Sequence, residues 1–199
     1  KKKPEFAKLP DKLAEMDKRS GDAIYSAAVF RKGLGQVDQA ITNYNAFVAA
    51  FPDDSRVPDI KIRIGKITDV IADIESNDGF LYKPEGRMWI TEYPASALEN
   101  ARKVYSPSEL VGMEAGLVAL YQKCPHLGCR VPECETSQWF ECGCHGSQYN
   151  QVGEKKGGPA PRGMDGFAME VSGGVLIVNT GQVIQGAAIG TNTTGQEAE

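Results

Sequence analysis

Histidine is scarce in this chain, a basic surplus is missing, and no long apolar run is present. Only two of the 199 residues are histidine. With 22 Lys+Arg against 26 Asp+Glu the formal net charge is -4, without the cationic excess that nucleic-acid binding usually demands. A genome-binding role is set aside and no nucleic-acid partner is expected. Every apolar run falls well short of the roughly 18 to 20 residues of a membrane-spanning helix, the longest being Ala115 to Tyr121 even with its glycine counted. There is no initiator Met and no signal-peptide h-region, so Lys1-Lys2-Lys3 reads as a cut end. A membrane anchor upstream is one expectation, attachment through partner subunits the other. Hydrophobic residues make up 41%, enough to bury the core of one medium domain or two small ones and to exclude a disordered or fibrous chain. Up to residue 80 there are 13 basic and 13 acidic residues, and after it 9 and 13, so the acidity sits in the C-terminal part.

Residues 1–80 read as a helical N-terminal region. Ile60, Ile64, Ile67, Ile71 and Ile74 recur at 4, 3, 4, 3 spacing, which predicts a helix with Pro58 in its first turn and Asn77 to Gly79 as its stop. The competing alternation Ile60, Ile62, Ile64 has strand period but is shorter. Upstream, Ala23 to Lys32 and Val37 to Phe51 form two more helical stretches. They read as a small bundle or as one hairpin of the tetratricopeptide type, with Gly35, Ala40, Tyr44 and Pro52 near the expected places and Phe47 where a small residue is usual. From Arg87 the texture turns to short strands: Met88 to Tyr93, Gly116 to Tyr121, Gln138 to Cys142, Phe167 to Val171 and Val175 to Asn179, the last two joined by Ser172-Gly173-Gly174 as a hairpin. The class is α+β, with a mostly antiparallel domain over 85–185. Glu85-Gly86 reads as a hinge between the halves, and 186–199 as a small, polar, disordered tail.

All five cysteines, Cys124, Cys129, Cys134, Cys142 and Cys144, lie within one short stretch, with His126 and His145 among or beside them. Read as C-x-H, fifteen residues, then C-x-x-H, the stretch offers two thiolates and two imidazoles from two loops, each loop supplying one of each. A single tetrahedral zinc would accept such a set, but its usual C-x-x-C knuckles and H-x3-5-H helices are absent. A 2Fe-2S cluster with cysteines on one iron and histidines on the other suits the arrangement better. Cys134 is the odd cysteine, read as a free, partly buried thiol. Lys123, Arg130, Lys155, Lys156 and Arg162 read as a solvated face, and the sequon Asn192-Thr193-Thr194 carries little weight.

The boxes Cys124-Pro125-His126-Leu127-Gly128-Cys129 and Cys142-Gly143-Cys144-His145-Gly146-Ser147 resemble those of Rieske iron-sulfur proteins, specifically the bacterial-type subunit of cytochrome bc complexes, over about Arg87 to Ile184. The resemblance implies a β sandwich with a small cluster-binding subdomain, and a Rieske-type 2Fe-2S cluster with Cys124 and Cys142 on one iron and His126 and His145 on the other. It also implies a disulfide between Cys129 and Cys144, hydroxyl donors at Ser147 and Tyr149, a shielding Leu127, and a covering loop at Gly158-Pro159-Ala160-Pro161. Gly143 stands where the second box usually has Pro, leaving the unfolded backbone freer there.

Neutral imidazole in place of thiolate makes the cluster less negative and easier to reduce, with potentials of roughly -150 to +300 mV against about -400 mV for all-cysteine plant-type clusters. Hydroxyl donors raise the potential further. The outer imidazole nitrogens can take a proton as the iron is reduced. The resemblance thus implies the iron-sulfur subunit of an oxidoreductase that takes one electron, with a proton, from a quinol at a cytochrome b-type subunit and passes it to a c-type cytochrome or similar acceptor, with His126 or His145 at the quinol hydroxyl. The disulfide points to an oxidising compartment, hence the extracytoplasmic face of the plasma membrane. The alternative is the Rieske small subunit of another oxidoreductase, such as an arsenite oxidase.

Overall fold

The computed structural model describes residues 9–34, 36–50 and 61–196. The chain forms two compact units, Lys1–Ile60 and Lys61–Glu199. In the first, α1 (Leu9–Gly33) and α2 (Val37–Ala50) are joined by a short link, which makes them packing neighbours. Ala28, Ala40, Tyr44 and Phe47 are buried between them, and the Tyr25 ring lies 5.8 Å from Tyr44 and 5.2 Å from Phe47. A fully buried Phe47 therefore fills the seam where the repeat-type hairpin would carry a small residue. Gly35, residues 1–8 of the expected helical region, and 51–60 with Pro52, Pro58 and Ile60 lie outside the described residues.

In the second unit the expected isoleucine helix is half wrong. Residues Lys61–Lys66 form β1, and only Ile67–Ser76 form a helix, α3. β1 pairs antiparallel with a strand near the C-terminus, Ile62 opposite Val178 and Arg63 opposite Ile177. Ile62 and its neighbours are taken into a ladder whose partner lies far along the chain, which overrides the local helical spacing. In α3, Val70 and Ile74 are buried, so the helical reading holds from Ile67 onward.

The remaining elements are β2 (Leu81–Lys83), β3 (Met88–Glu92), α4 (Leu98–Val104), α5 (Pro107–Glu114), β4 (Leu117–Tyr121), β5 (Glu133–Cys134), β6 (Trp139–Cys142), β7 (Ser147–Tyr149), β8 (Lys155–Gly157), β9 (Gly166–Ser172) and β10 (Val175–Ile184). A six-stranded sheet runs in the order β1-β10-β9-β4-β3-β2 and a four-stranded one β5-β6-β7-β8, every pairing antiparallel. The five strands expected from sequence are present, and the Gly173-Gly174 loop places Val175 opposite Ser172 as a two-residue hairpin. The class is α+β and mostly antiparallel. Helices α4 and α5 were not anticipated, although Ser106 and Glu109 form a capping box with Pro107 at the first helical position, a start signal readable from sequence.

β4 and β9 are neighbours in the large sheet, so the small sheet is an excursion that leaves after Tyr121 and returns at Gly166. One core joins the two sheets. Phe80, Trp89 and Phe140 stack with centroid separations of 5.1 to 6.3 Å, and the Trp89 indole Nε1–H donates to the Val131 carbonyl at 3.0 Å. Tyr149, fully buried, belongs to the same cluster. The site-bearing sheet is therefore fixed to the large one by aromatic burial of the kind whose loss costs about 3–5 kcal/mol per ring.

Two further expectations are corrected. Glu85-Gly86 is no hinge: residues Pro84–Gly86 form a single 3-10 turn connecting β2 to β3, which pair directly, and Gly86 is buried. Nor is 186–196 a free tail, while 197–199 lie outside the described residues. Gly186–Gln196 packs on the second unit, with Thr193 buried, because its polar groups satisfy a buried carboxylate described below.

Candidate metal centre

Two turns at one end of the small sheet carry the six cysteines and histidines of the boxes. In the first, the Gly128 N–H donates to the Cys124 carbonyl at 2.9 Å; in the second, the Gly146 N–H donates to the Cys142 carbonyl at 2.9 Å. Each turn closes on a glycine with positive φ, +83° at Gly128 and +76° at Gly146. At Gly146 a Cβ would meet nothing within 4 Å, so backbone conformation, not space, requires glycine there; another residue costs about 1–2 kcal/mol. The base of the first turn is held by the Cys124 N–H donating to the Cys129 carbonyl at 2.8 Å, the second by pairing of Cys142 with Ser147. A disulfide between Cys129 and Cys144, with Cα atoms 6.7 Å apart, joins the two turns.

The two turns sort their donors by burial. Cys124 and Cys142 are buried, free thiols. The rings of His126 and His145 lie 4.9 Å apart at 88°, His126 half-buried and His145 exposed, and beside them Leu127 is 72% exposed. The Tyr149 hydroxyl is 3.2 Å from Cys124 Sγ. Burial raises the Tyr149 phenol and the bond to Cys124 raises it further, so it remains a hydrogen-bond donor. Burial also opposes ionisation of Cys124, but hydrogen bonds from Tyr149, the His126 backbone, Cys142 and Ser147 outweigh it and hold the thiol below its ordinary value. Cys142 is pushed up, mainly by burial.

A covering loop closes over the second turn. The Ala160 N–H donates to Ser147 Oγ at 3.1 Å. Gly158 presses so closely on this turn that a Cβ there would lie 2.5 Å from the Ser147 Cα, closer than any side chain permits. Pro159 is exposed on the outer face of the loop.

The donor set fits a two-iron cluster. The two turns carry two buried, unbridged thiols and two less buried imidazoles, soft sulfur together with borderline nitrogen. The sulfurs of Cys129, Cys142 and Cys144 also lie within 4.8 Å of one another, but two of them are joined in the disulfide and offer no thiolate.

Residues 92–170 match the family described as Rieske [2Fe-2S] domain. This stretch is a Rieske domain. Its cofactor is accordingly a Rieske-type 2Fe-2S cluster. The chain is similar to a cytochrome b6-f complex iron-sulfur subunit of Microcystis aeruginosa, 47% identical over 58 residues, 28% of this chain and 32% of that protein. It is also similar to cytochrome b6-f complex iron-sulfur subunit 1 of Synechocystis, 35% identical over 75 residues, 36% of this chain and 42% of that protein. The chain thus spans less than half the length of these curated relatives. Among solved structures, the plasma membrane Rieske protein of Synechocystis superposes with a TM-score of 0.40 at 24% identity, over 59% of this chain and 97% of that one.

The structure places Cys124, His126, Leu127, Cys142, His145, Ser147, Tyr149, Gly158 and Pro159 in and around these two turns. Cys134 stands apart, half-buried in β5; a hydrogen bond from Ser137 lowers its thiol. The basic residues do not form one solvated face. The Lys156 side chain is buried, its Nζ donating to Asn192 Oδ1 at 2.9 Å and lying 3.6 Å from Glu154 Oε2. Arg162 makes a two-pronged pair with Asp165 at 2.9 Å. Glu154, Asn192 and Thr193 were missed as supporting residues; no local pattern marks them.

Proposed function

We propose that Cys124 and Cys142 hold one iron and His126 and His145 the other, and that the protein is the electron-transfer subunit of a quinol-oxidising complex of the cytochrome bc type. One observation carries this reading: two imidazoles 4.9 Å apart, one half-buried and one exposed, on the same pair of turns as two buried thiols that the adjoining disulfide leaves free. Bound there, the cluster supplies a one-electron couple of raised potential. The chain's own residues do the rest. His126 and His145 present their outer ring nitrogens to the quinol hydroxyl and accept its proton. Leu127 offers apolar surface to the quinone pocket of a cytochrome b-type subunit. The Cys129–Cys144 bridge keeps the two ligand turns together while contacts at the tip are made and broken. Tyr149 and Ser147 donate hydrogen bonds that favour the reduced state. The electron then passes to a c-type cytochrome or similar acceptor. The disulfide favours an oxidising compartment, hence the extracytoplasmic side of the membrane. The names of the relatives, subunits of cytochrome b6-f complexes, support the same assignment.

The test is redox titration followed by EPR on the purified chain, with iron and acid-labile sulfide analysis. The expected result is two irons per chain and a midpoint in the upper part of the roughly -150 to +300 mV Rieske range. A midpoint below about -100 mV, near the floor of that range, removes the quinol role. Co-purification with a large molybdenum subunit in place of a cytochrome b overturns the complex assigned.

A further inference from the structure

The C-terminal segment Gly186–Thr194 touches the covering loop at both of its ends. At the far end, the Gly163 N–H donates to the Ala187 carbonyl at 2.8 Å, Arg162 forms a β-bridge with Ala188, and the Gly186 N–H donates to Asp165 Oδ1 at 2.9 Å, the same carboxylate that grips Arg162. At the near end, Lys156 lies in β8, with Gly157 between it and the loop, and its buried Nζ reaches Asn192 Oδ1. Glu154, fully buried, is the anchor. It takes the Thr193 N–H at 2.8 Å and the Thr193 hydroxyl at 2.5 Å on Oε1, and the Asn150 amide at 2.9 Å on Oε2, while Tyr105 approaches Oε1 at 3.4 Å. The Tyr93 hydroxyl closes the network on Thr193 Oγ1 at 2.7 Å. A buried carboxylate with one cation at 3.6 Å needs these donors, because unmet hydrogen bonds to a buried charge are costly. The segment is therefore held by the need of Glu154, and through Lys156 and Gly163 it holds the loop.

We infer that Asn192 and Thr193 are positioning residues for the metal centre: the C-terminal segment is a strap that seats the covering loop, and the loop in turn orients the Ser147 hydroxyl through the Ala160 N–H. This rests on the metal-centre reading only for its redox consequence. When the strap is loosened, Ala160 withdraws its donor from Ser147 Oγ and the Ser147 hydroxyl becomes a weaker and less fixed donor toward the cluster side. The reduced state loses that support and the potential falls.

The experiment compares the full-length, cluster-loaded protein with Thr193→Val, Asn192→Ala and the hydroxyl-retaining Thr193→Ser, by hydrogen exchange and by redox titration. Thr193→Val and Asn192→Ala should each speed exchange of the Ala160 and Gly163 amides at least tenfold, about 1.4 kcal/mol of lost protection, with the β9–β10 amides unchanged and the midpoint lowered. Thr193→Ser should restore both. If the two amides stay within twofold of the parent in both disruptive variants, or if β9–β10 loosen equally, the strap is refuted. Asn192, half-buried, gives a variant that folds even where Thr193→Val does not. Exchange does not need the cluster, so a colourless parent protein overturns the metal-centre reading while the amides still decide the strap.

Discussion

Replacing Tyr149 by Phe removes one oxygen and nothing else. The ring is fully buried in the aromatic core and Phe fills the same volume, so the perturbation is confined to the hydroxyl 3.2 Å from Cys124 Sγ. A hydrogen bond to a charged acceptor is worth about 1.5–3 kcal/mol. The added electron increases charge on the sulfurs, so part of that sum, about 0.5–1.5 kcal/mol, distinguishes reduced from oxidised protein. For a one-electron couple a tenfold change in the equilibrium constant is about 59 mV, and the expected drop in midpoint is about 20–60 mV. The phenol is raised by burial, so the donor is intact throughout the neutral range and the drop should not depend on pH there. The assay is potentiometric titration monitored by visible circular dichroism, with iron content measured in parallel. An unchanged or raised midpoint in a fully loaded Tyr149→Phe protein would refute the claim that this hydroxyl stabilises the reduced state.

Gly143 has open space where a Cβ would stand and no positive φ, so Gly143→Pro should stabilise by about 0.4–1 kcal/mol through a less free unfolded chain, raising the melting temperature with no loss of iron. Removing the crosslink with paired Cys129→Ser and Cys144→Ser frees a loop of sequence separation 15 and should cost about 3 kcal/mol, read as a lower denaturant midpoint and faster bleaching of the cluster; unchanged values would show that the bridge is dispensable. Burial raises the Glu109 carboxyl above its ordinary value while its bonds to Ser106 oppose the shift. The folded state then binds more protons, so stability is full below about 4.3 and falls as pH rises from there through the raised value. Glu109→Gln keeps the capping-box acceptor and should flatten that decline in chemical denaturation measured across pH.

How far the sequence discloses this protein depends on whether a feature is decided by neighbours in the chain. The ligand boxes are legible because each is closed by a turn within five residues, Gly128 onto Cys124 and Gly146 onto Cys142, and the donor types must fall at those spacings. The β9–β10 hairpin is legible for the same reason. The Ile60–Ile74 pattern satisfies helix and strand alike, and its first half is decided by β10, to which local spacing has no access. The start of α5 is local too, in Ser106-Pro107-Ser108-Glu109, within a stretch whose surroundings have strand texture. The polar composition of 186–196 argues for a free tail only while Glu154 is taken as another surface acid; once it is buried, Thr193 becomes its partner and Asn192 accepts from the neighbouring Lys156. The same division runs through the site itself. Local turns fix which atoms can bind metal, whereas the covering loop over them is held by Lys156, Arg162 and a segment about thirty residues further on. A variant that leaves both boxes intact can therefore change the redox behaviour by acting through the strap alone.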